Sequence, residues 1–331
     1  MTPTLAGTLA TLAATVPPVA AGGVAVLGPR LAVRMPPSTA VRILTGLGLL
    51  ITLTCGFVLA AVAFTALAIV PAVAALGHWS PAALAGPGTL PVPVGAGLGI
   101  LVAVLLTAAS RRTLGEVRAL ATSEVTCRRI GPGVAGLVVM DDDAPDAYAL
   151  PGLTGRIVVT TAMLQALPAD ERRVLLEHEA SHLRHRHHVY VQLTTIAAAA
   201  NPLLRPLVPA VRLAVERWAD EDAAALVDRD TAVRALAGLA RARAARSHAP
   251  TPDPLPGLAA VGSTLPQRTA ALQRPAPAPR PALVAAAVAL GVLVTVAAMT
   301  TSRLTEQRFE RAFRADRAAA ALPVAPGATK G

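Results

Sequence analysis

The sequence predicts an α-helical integral membrane protein with about four transmembrane helices and a mainly helical α+β metal-binding domain. Three observations carry that prediction. First, 53% of the 331 residues are hydrophobic and only 15% charged, with a mean hydropathy of +0.54, which is too apolar for a soluble chain of this length. Second, four apolar stretches are long enough to cross a bilayer. Third, five of the seven histidines fall within 171-ERRVLLEHEASHLRHRHHVY-190. The formal charge of +10 comes almost entirely from arginine, Lys330 being the only lysine. On a membrane protein such charge belongs in loops facing anionic lipid, so direct nucleic-acid binding is not expected. Cys55 and Cys127 lie far apart in unlike segments and imply no disulfide framework. For Cys127 an inert buried thiol is as good a reading as any other.

The first apolar stretch, roughly 5–28, has no Lys or Arg ahead of it and no tidy cleavage site, and reads as a retained span rather than a signal peptide. The second runs from about Val41 to Gly77, more than one crossing needs, and Pro71 is expected to end or kink it. The third, roughly 92–109, stops at Arg111 and Arg112, and the fourth, roughly 282–300, lies between Arg280 and Arg303. These bounds divide the chain into three N-terminal spans (1–110), a metal-binding domain (111–248), a Pro-rich linker (249–281), a fourth span (282–301) and a short basic tail (302–331). Arg30, Arg34 and Arg42 between the first two spans, and Arg111, Arg112 and Arg118 after the third, put the N-terminus outside and the domain in the cytoplasm. Arg303, Arg308, Arg311, Arg314 and Arg317 in the tail argue the other way, but early spans dominate. The tail 303–322 reads as a basic amphipathic helix with Leu304, Phe309 and Phe313 loosely on one side, for a membrane surface, a partner or plain solvent.

Within the domain, 134–140 and 155–164 are short β-branched runs with 146-DAYALPG-152 between them, expected as strands beside the metal helix. Ala147, Tyr148 and Ala149 would hold an extended peptide by main-chain hydrogen bonds, or else the strands simply complete the core. Pro168, Asp170 and Glu171 suit a helix start, and the run that follows reads as helix to about Tyr190. On such a helix His178 and His182 are one turn apart and reach one ion. Glu179, one position round, reaches a water there but is poorly placed to ligate. Zinc needs a third protein ligand to keep one position open. In 211-VRLAVERWADEDAAALV-227, Glu216 and Asp220 share a helix face, Glu216 as ligand and Asp220 as acceptor from a ligand imidazole. A turn at Asn201-Pro202 lets the chain return. One Zn2+ per chain is therefore expected. His185, His187 and His188 read as solvated or lipid-facing charge, Glu221 and Asp222 as an exposed acidic face, and Arg217 as their partner.

Three N-terminal spans, His-Glu-x-x-His, Glu-x-x-Ala-Asp and a last span resemble the BlaR/MecR-type membrane zinc metallopeptidases. The core, with Ala-Tyr-Ala-Leu-Pro-Gly at 147–152 and Gly-Arg-Ile-Val-Val-Thr at 155–160, is similar also to the Ste24p/HtpX zinc endopeptidases. The resemblance implies a zincin-like, HExxH gluzincin-type fold, with His178, His182 and Glu216 as ligands, Glu179 as base and Asp220 in support. It further implies hydrolysis of a protein or peptide substrate at the cytoplasmic membrane face. A repressor-type regulator is the substrate class of the first group, membrane-protein quality control the task of the second. About 30 residues follow the last span where the first group carries a penicillin-binding domain, so β-lactam sensing is not carried over. His187 stands where that group often has aspartate. His248 is a candidate for oxyanion stabilisation. A silent zinc-binding receptor, and a surface module whose histidines are mere charge, remain the non-enzymatic alternatives.

Overall fold

The computed structural model describes residues 3–86, 89–246 and 261–320. Among the described residues, four helices are long and apolar enough to span a membrane: α1 (Pro3–Ala32), α2 (Pro37–Leu67), α5 (Val92–Ile130) and α12 (Pro281–Ala320). The protein is thus an α-helical, multi-pass membrane protein. Pro71 opens α3 (Pro71–Gly77), so the overlong second stretch breaks where expected, and α4 (Pro81–Leu84) follows. The third and fourth helices run well past their expected ends. At 1.5 Å per residue, α5 with 39 residues and α12 with 40 each approach about 60 Å, twice a hydrocarbon core. The expected break between span and tail near residue 302 is therefore absent, because nothing from Thr300 to Ala320 is glycine or proline.

The described parts of the chain form two compact units. The first combines residues up to Gly22, Leu50–Ala108 and the chain from Ala286. In it, a Cβ on Gly95 would lie 2.5 Å from that of Ala66, so the bare glycine lets α5 approach α2 closely. The aromatic side of the basic tail is used within this unit. Phe309 stacks on Phe64 at 5.3 Å between ring centroids, and Trp79 meets Phe309 and Phe313 edge-on.

The second unit, Gly23–Leu49 with Ala109–Ala285, carries the histidine cluster. It is wider than the expected 111–248 domain, since Thr45 and Thr194 hydrogen-bond in its interior at 3.1 Å. Its sheet has the order β1 (Leu137–Met140), β3 (Arg156–Thr160), β2 (Ala147–Leu150), with β1 parallel and β2 antiparallel to β3, so β2 is an outer strand. Gly155 turns the chain between β2 and β3 at φ +58°, and a Cβ there would press on Leu183 at 3.0 Å. Thr160 caps α6 (Thr161–Ala166) by accepting from the Met163 N–H. Then come α7 (Ala169–Arg184), α8 (His187–Ala200), a 3-10 turn at Pro202–Leu204, α9 (Leu207–Leu226) and α10 (Arg229–Arg246). Val174, Ala223, Ala232 and Leu236 from α7, α9 and α10 pack into one apolar cluster, holding the faces of α7 and α9 together.

Two expectations change here. The helix expected to reach Tyr190 is broken at Arg186, whose left-handed backbone (φ 51°) separates α7 from α8. The span expected as linker, 249–281, contains α11 (Val261–Leu272), which packs Leu265 and Leu272 onto the α7/α9/α10 cluster. Residues 247–260, with His248, lie outside the described residues.

Candidate metal centre

The i, i+4 spacing on α7 points both imidazoles one way. His178 Nε2 lies 3.1 Å from His182 Nε2, and the helix buries His178 and Glu179 together. Glu216 on α9 faces them, one oxygen 3.6 Å from His178 Nε2 and the other 3.7 Å from His182 Nε2. One ligand atom from each of the three lies within 4.8 Å of the others. A tetrahedral zinc with bonds near 2.05 Å needs ligand atoms roughly 3.3 Å apart, so the donors fit it. Charge fits as well. Glu179, Glu216 and Asp220 outnumber the guanidinium groups of Arg268 and Arg212, which leaves the cavity net negative and suited to a cation.

What stands behind each imidazole differs. His178 Nδ1 donates to Asp220 Oδ1 at 3.0 Å, which leaves Nε2 free to face the ligand cluster. Burial acts to lower the pKa of His178, but the Asp220 and Glu216 carboxylates outweigh it and hold it up at about 9. His182 Nδ1 instead lies 3.1 Å from Nδ1 of His187. Burial brings His182 down to about 4 and His187 to about 3. For Glu216, burial acts upward, yet the His178 hydrogen bond and the Arg268 charge hold its pKa well below the usual carboxylate range.

The sequence-predicted residues are sorted plainly by the structure. His178, His182, Glu179 and Glu216 line one cavity of about 330 Å3, and Ala147 and Ala149 line it from β2. Tyr148 is not among the lining residues, as strand alternation turns it away from its neighbours. The three further histidines are not solvated charge. His187 is 1% exposed, His188 lines the cavity, and His185 lies 3.0 Å from Asp222 and stacks on Trp218 at 4.5 Å. On an unbroken helix His187 would sit about 140° round from His182, and the left-handed Arg186 brings it back. Asp222 and Glu221 are not a bare acidic face. Asp222 accepts from Ser181 at 2.7 Å, Glu221 pairs with Arg229 at 2.6 Å, and Arg217 pairs with neither.

Sequence reasoning missed Arg268. It is 2% exposed, grips Asp220 through Nε and an Nη nitrogen at 2.8 and 2.6 Å, and touches Glu216 at 3.0 Å. Its signal was the spacing of Leu265, Arg268 and Leu272, one helix face hidden between proline-rich stretches.

Comparison with known proteins agrees with this geometry. Residues 127–201 match peptidase family M48, a segment that holds the sheet, α7 and α8 but stops short of Glu216, Asp220 and Arg268. A protease HtpX homolog of Aeropyrum pernix is 37% identical over 97 residues, 28% of this chain and 30% of that protein. The chain thus covers less than a third of that relative's length. No solved structure matches. Within a chain that carries four helices long and apolar enough to cross a membrane, the stretch from the sheet to α8 is thus similar to the M48 peptidases and to an HtpX-type protease.

Proposed function

We propose that the protein is a zinc metalloendopeptidase that cuts a protein substrate at the cytoplasmic face of the membrane. The observation that carries this reading is the meeting of His178, His182, Glu216 and Glu179 in one cavity beside an outer strand. His178, His182 and Glu216 would hold the ion, Asp220 fixing the first of them through Nδ1. An ion held by these residues would supply a Lewis acid for a peptide carbonyl and for a water at neutral pH. Glu179 takes the proton of the attacking water and returns it to the leaving amine. An extended substrate would lie along β2, past Ala147 and Ala149, which brings its scissile carbonyl to the cluster. The arginines that follow the first and third spans support a cytoplasmic site. Of the two substrate classes, a membrane protein rests on the Ste24p/HtpX-type resemblance, with which the match to a protease HtpX homolog is compatible, and a repressor rests on the BlaR/MecR-type resemblance alone.

The test is zinc content and casein hydrolysis of the purified chain, with Glu179→Gln and His182→Ala beside it. The expected result is one zinc in wild type and in E179Q, with hydrolysis lost by at least about 100-fold in E179Q. His182→Ala should lose both metal and activity. Zinc in wild type with no hydrolysis by either protein would leave a silent receptor instead.

A further inference from the structure

A second cavity, of about 730 Å3, opens on a different face of α9 from the metal centre. Its walls are mostly apolar: Ala32 and Val33 at the end of α1, Leu213 on α9, and Pro275 and Pro277 beyond α11. Into it faces Arg217, which is 6% exposed. Among the described residues its one hydrogen bond is a long one, 3.5 Å to the carbonyl of Ala32, and its Nε has no partner. Three and four residues on along α9 stand Asp220 and Glu221, the carboxylates an arginine would ordinarily take. Both are already held, Asp220 by Arg268 and Glu221 by Arg229. Arg217 therefore faces the cavity with no carboxylate in direct contact, and a buried charge is costly unless an anion meets it. Arg274, exposed at the same cavity, adds a second guanidinium.

The place of this cavity along the chain narrows the ligand. Ala32 is the last residue of the first candidate span, and Pro277 stands four residues before the fourth, which starts at Pro281. Ends of membrane spans lie at the level of lipid headgroups. An anion arriving there carries acyl chains, and the apolar walls match them. Guanidinium groups bind phosphate oxygens in pairs, with geometry that a carboxylate-free pocket leaves open. A bare phosphate would leave most of the volume empty.

We propose that this cavity binds an anionic phospholipid, its phosphate against Arg217 and Arg274 and its upper acyl chain along Val33, Leu213 and the two prolines. Because Arg217 follows Glu216 directly on α9, the bound lipid would brace the helix that carries the third metal ligand.

The full chain, purified in detergent from vesicles of phosphatidylcholine with phosphatidylglycerol, tests this by native mass spectrometry of retained lipid. Wild type and the charge control Arg129→Gln are expected to keep one phosphatidylglycerol. Arg217→Gln should lose it by about tenfold, in line with the loss of charged hydrogen bonds. Arg217→Lys should retain an intermediate amount, and Arg274→Gln should fall by about threefold. Equal retention in R217Q and R129Q overturns the proposal, as does equal retention of phosphatidylcholine. Inorganic phosphate raising the melting temperature of the delipidated chain as much as phosphatidylglycerol does overturns it too, in favour of a free-anion site. Should R217Q not fold, the exposed R274Q decides: unchanged retention there counts against the lipid.

Discussion

The two imidazoles that face Glu216 sit one turn apart on the same helix, yet their backing is opposite. His178 leans on a buried carboxylate, itself clamped by a buried arginine, while His182 leans on a second neutral imidazole. The first is held protonated up to about pH 9 in the metal-free chain, and the second is neutral above about pH 4. Sequence spacing makes the pair look symmetrical. The residues that break the symmetry, Asp220, Arg268 and His187, come from three other helices. The chemistry of the two candidate ligands is thus set by what packs behind α7 as much as by α7 itself.

The largest test of that contrast is to remove the clamp. Arg268→Met leaves the buried Asp220 and the half-buried Glu216 without their cation, and breaking a buried pair such as Arg268–Asp220 costs about 3–5 kcal/mol. Zinc would restore part of the missing positive charge. The melting temperature should therefore fall further in a chelator than in excess zinc. An equal fall in both conditions would mean that Arg268 supports packing alone and leaves the site's electrostatics untouched.

Next in size is the carboxylate. Asp220→Asn keeps the shape at His178 Nδ1 and removes the charge, and zinc affinity should drop about 10- to 100-fold. The pH dependence gives the sign. His178 has its folded pKa raised from 6.5 to about 9, so zinc displaces one proton from it at any pH below that. His182, lowered to about 4, has no proton to give up above that pH. Apparent affinity should rise about tenfold per pH unit between 7 and 9 and then level off. In D220N the levelling point should move down. Without metal the same shifts oppose each other in stability. The contribution of His178 is complete below pH 6.5 and lost towards 9, and those of His182 and His187 are complete above 6.5 and lost as pH falls. A chelated sample should therefore be most stable near pH 6.5, as read by thermal melts across pH.

How much of this was legible in the sequence follows the range of each interaction. The four spans and the His178/His182/Glu179 face follow from local periodicity, and Glu216 with Asp220 from a second local i, i+4 pair. The sheet was readable as β-branched runs, though not its order, since β1 pairs in parallel across a crossover. Arg268 was hidden because its ion pair spans 48 residues and its helix lies among prolines. His187 was misread because helical spacing was extended through Arg186, where one left-handed residue resets the phase. Local rules fail where the backbone leaves its period and where charge is satisfied at long range.

The smallest expected effect sharpens the comparison most directly, because it makes the two imidazoles alike. Nδ1 of histidine is bonded to Cγ, as an aspartate oxygen is, so His187→Asp puts a carboxylate oxygen where His187 Nδ1 now lies, 3.1 Å from His182 Nδ1. His182 would then donate to an anion, as His178 does, which raises the basicity of its Nε2. Zinc affinity in H187D should rise by several-fold to about tenfold. His187→Asn offers an acceptor of the same shape without the charge and should leave affinity within about threefold of wild type. The added buried charge has its own cost, so the chelated H187D protein should melt below the chelated wild type. Chelator competition on the three proteins reads all of this without an activity assay. If H187D binds zinc no more tightly than H187N, the imidazole at 187 is packing against Trp218 rather than partner to His182. The contrast between the two ligands would then rest on Asp220 alone.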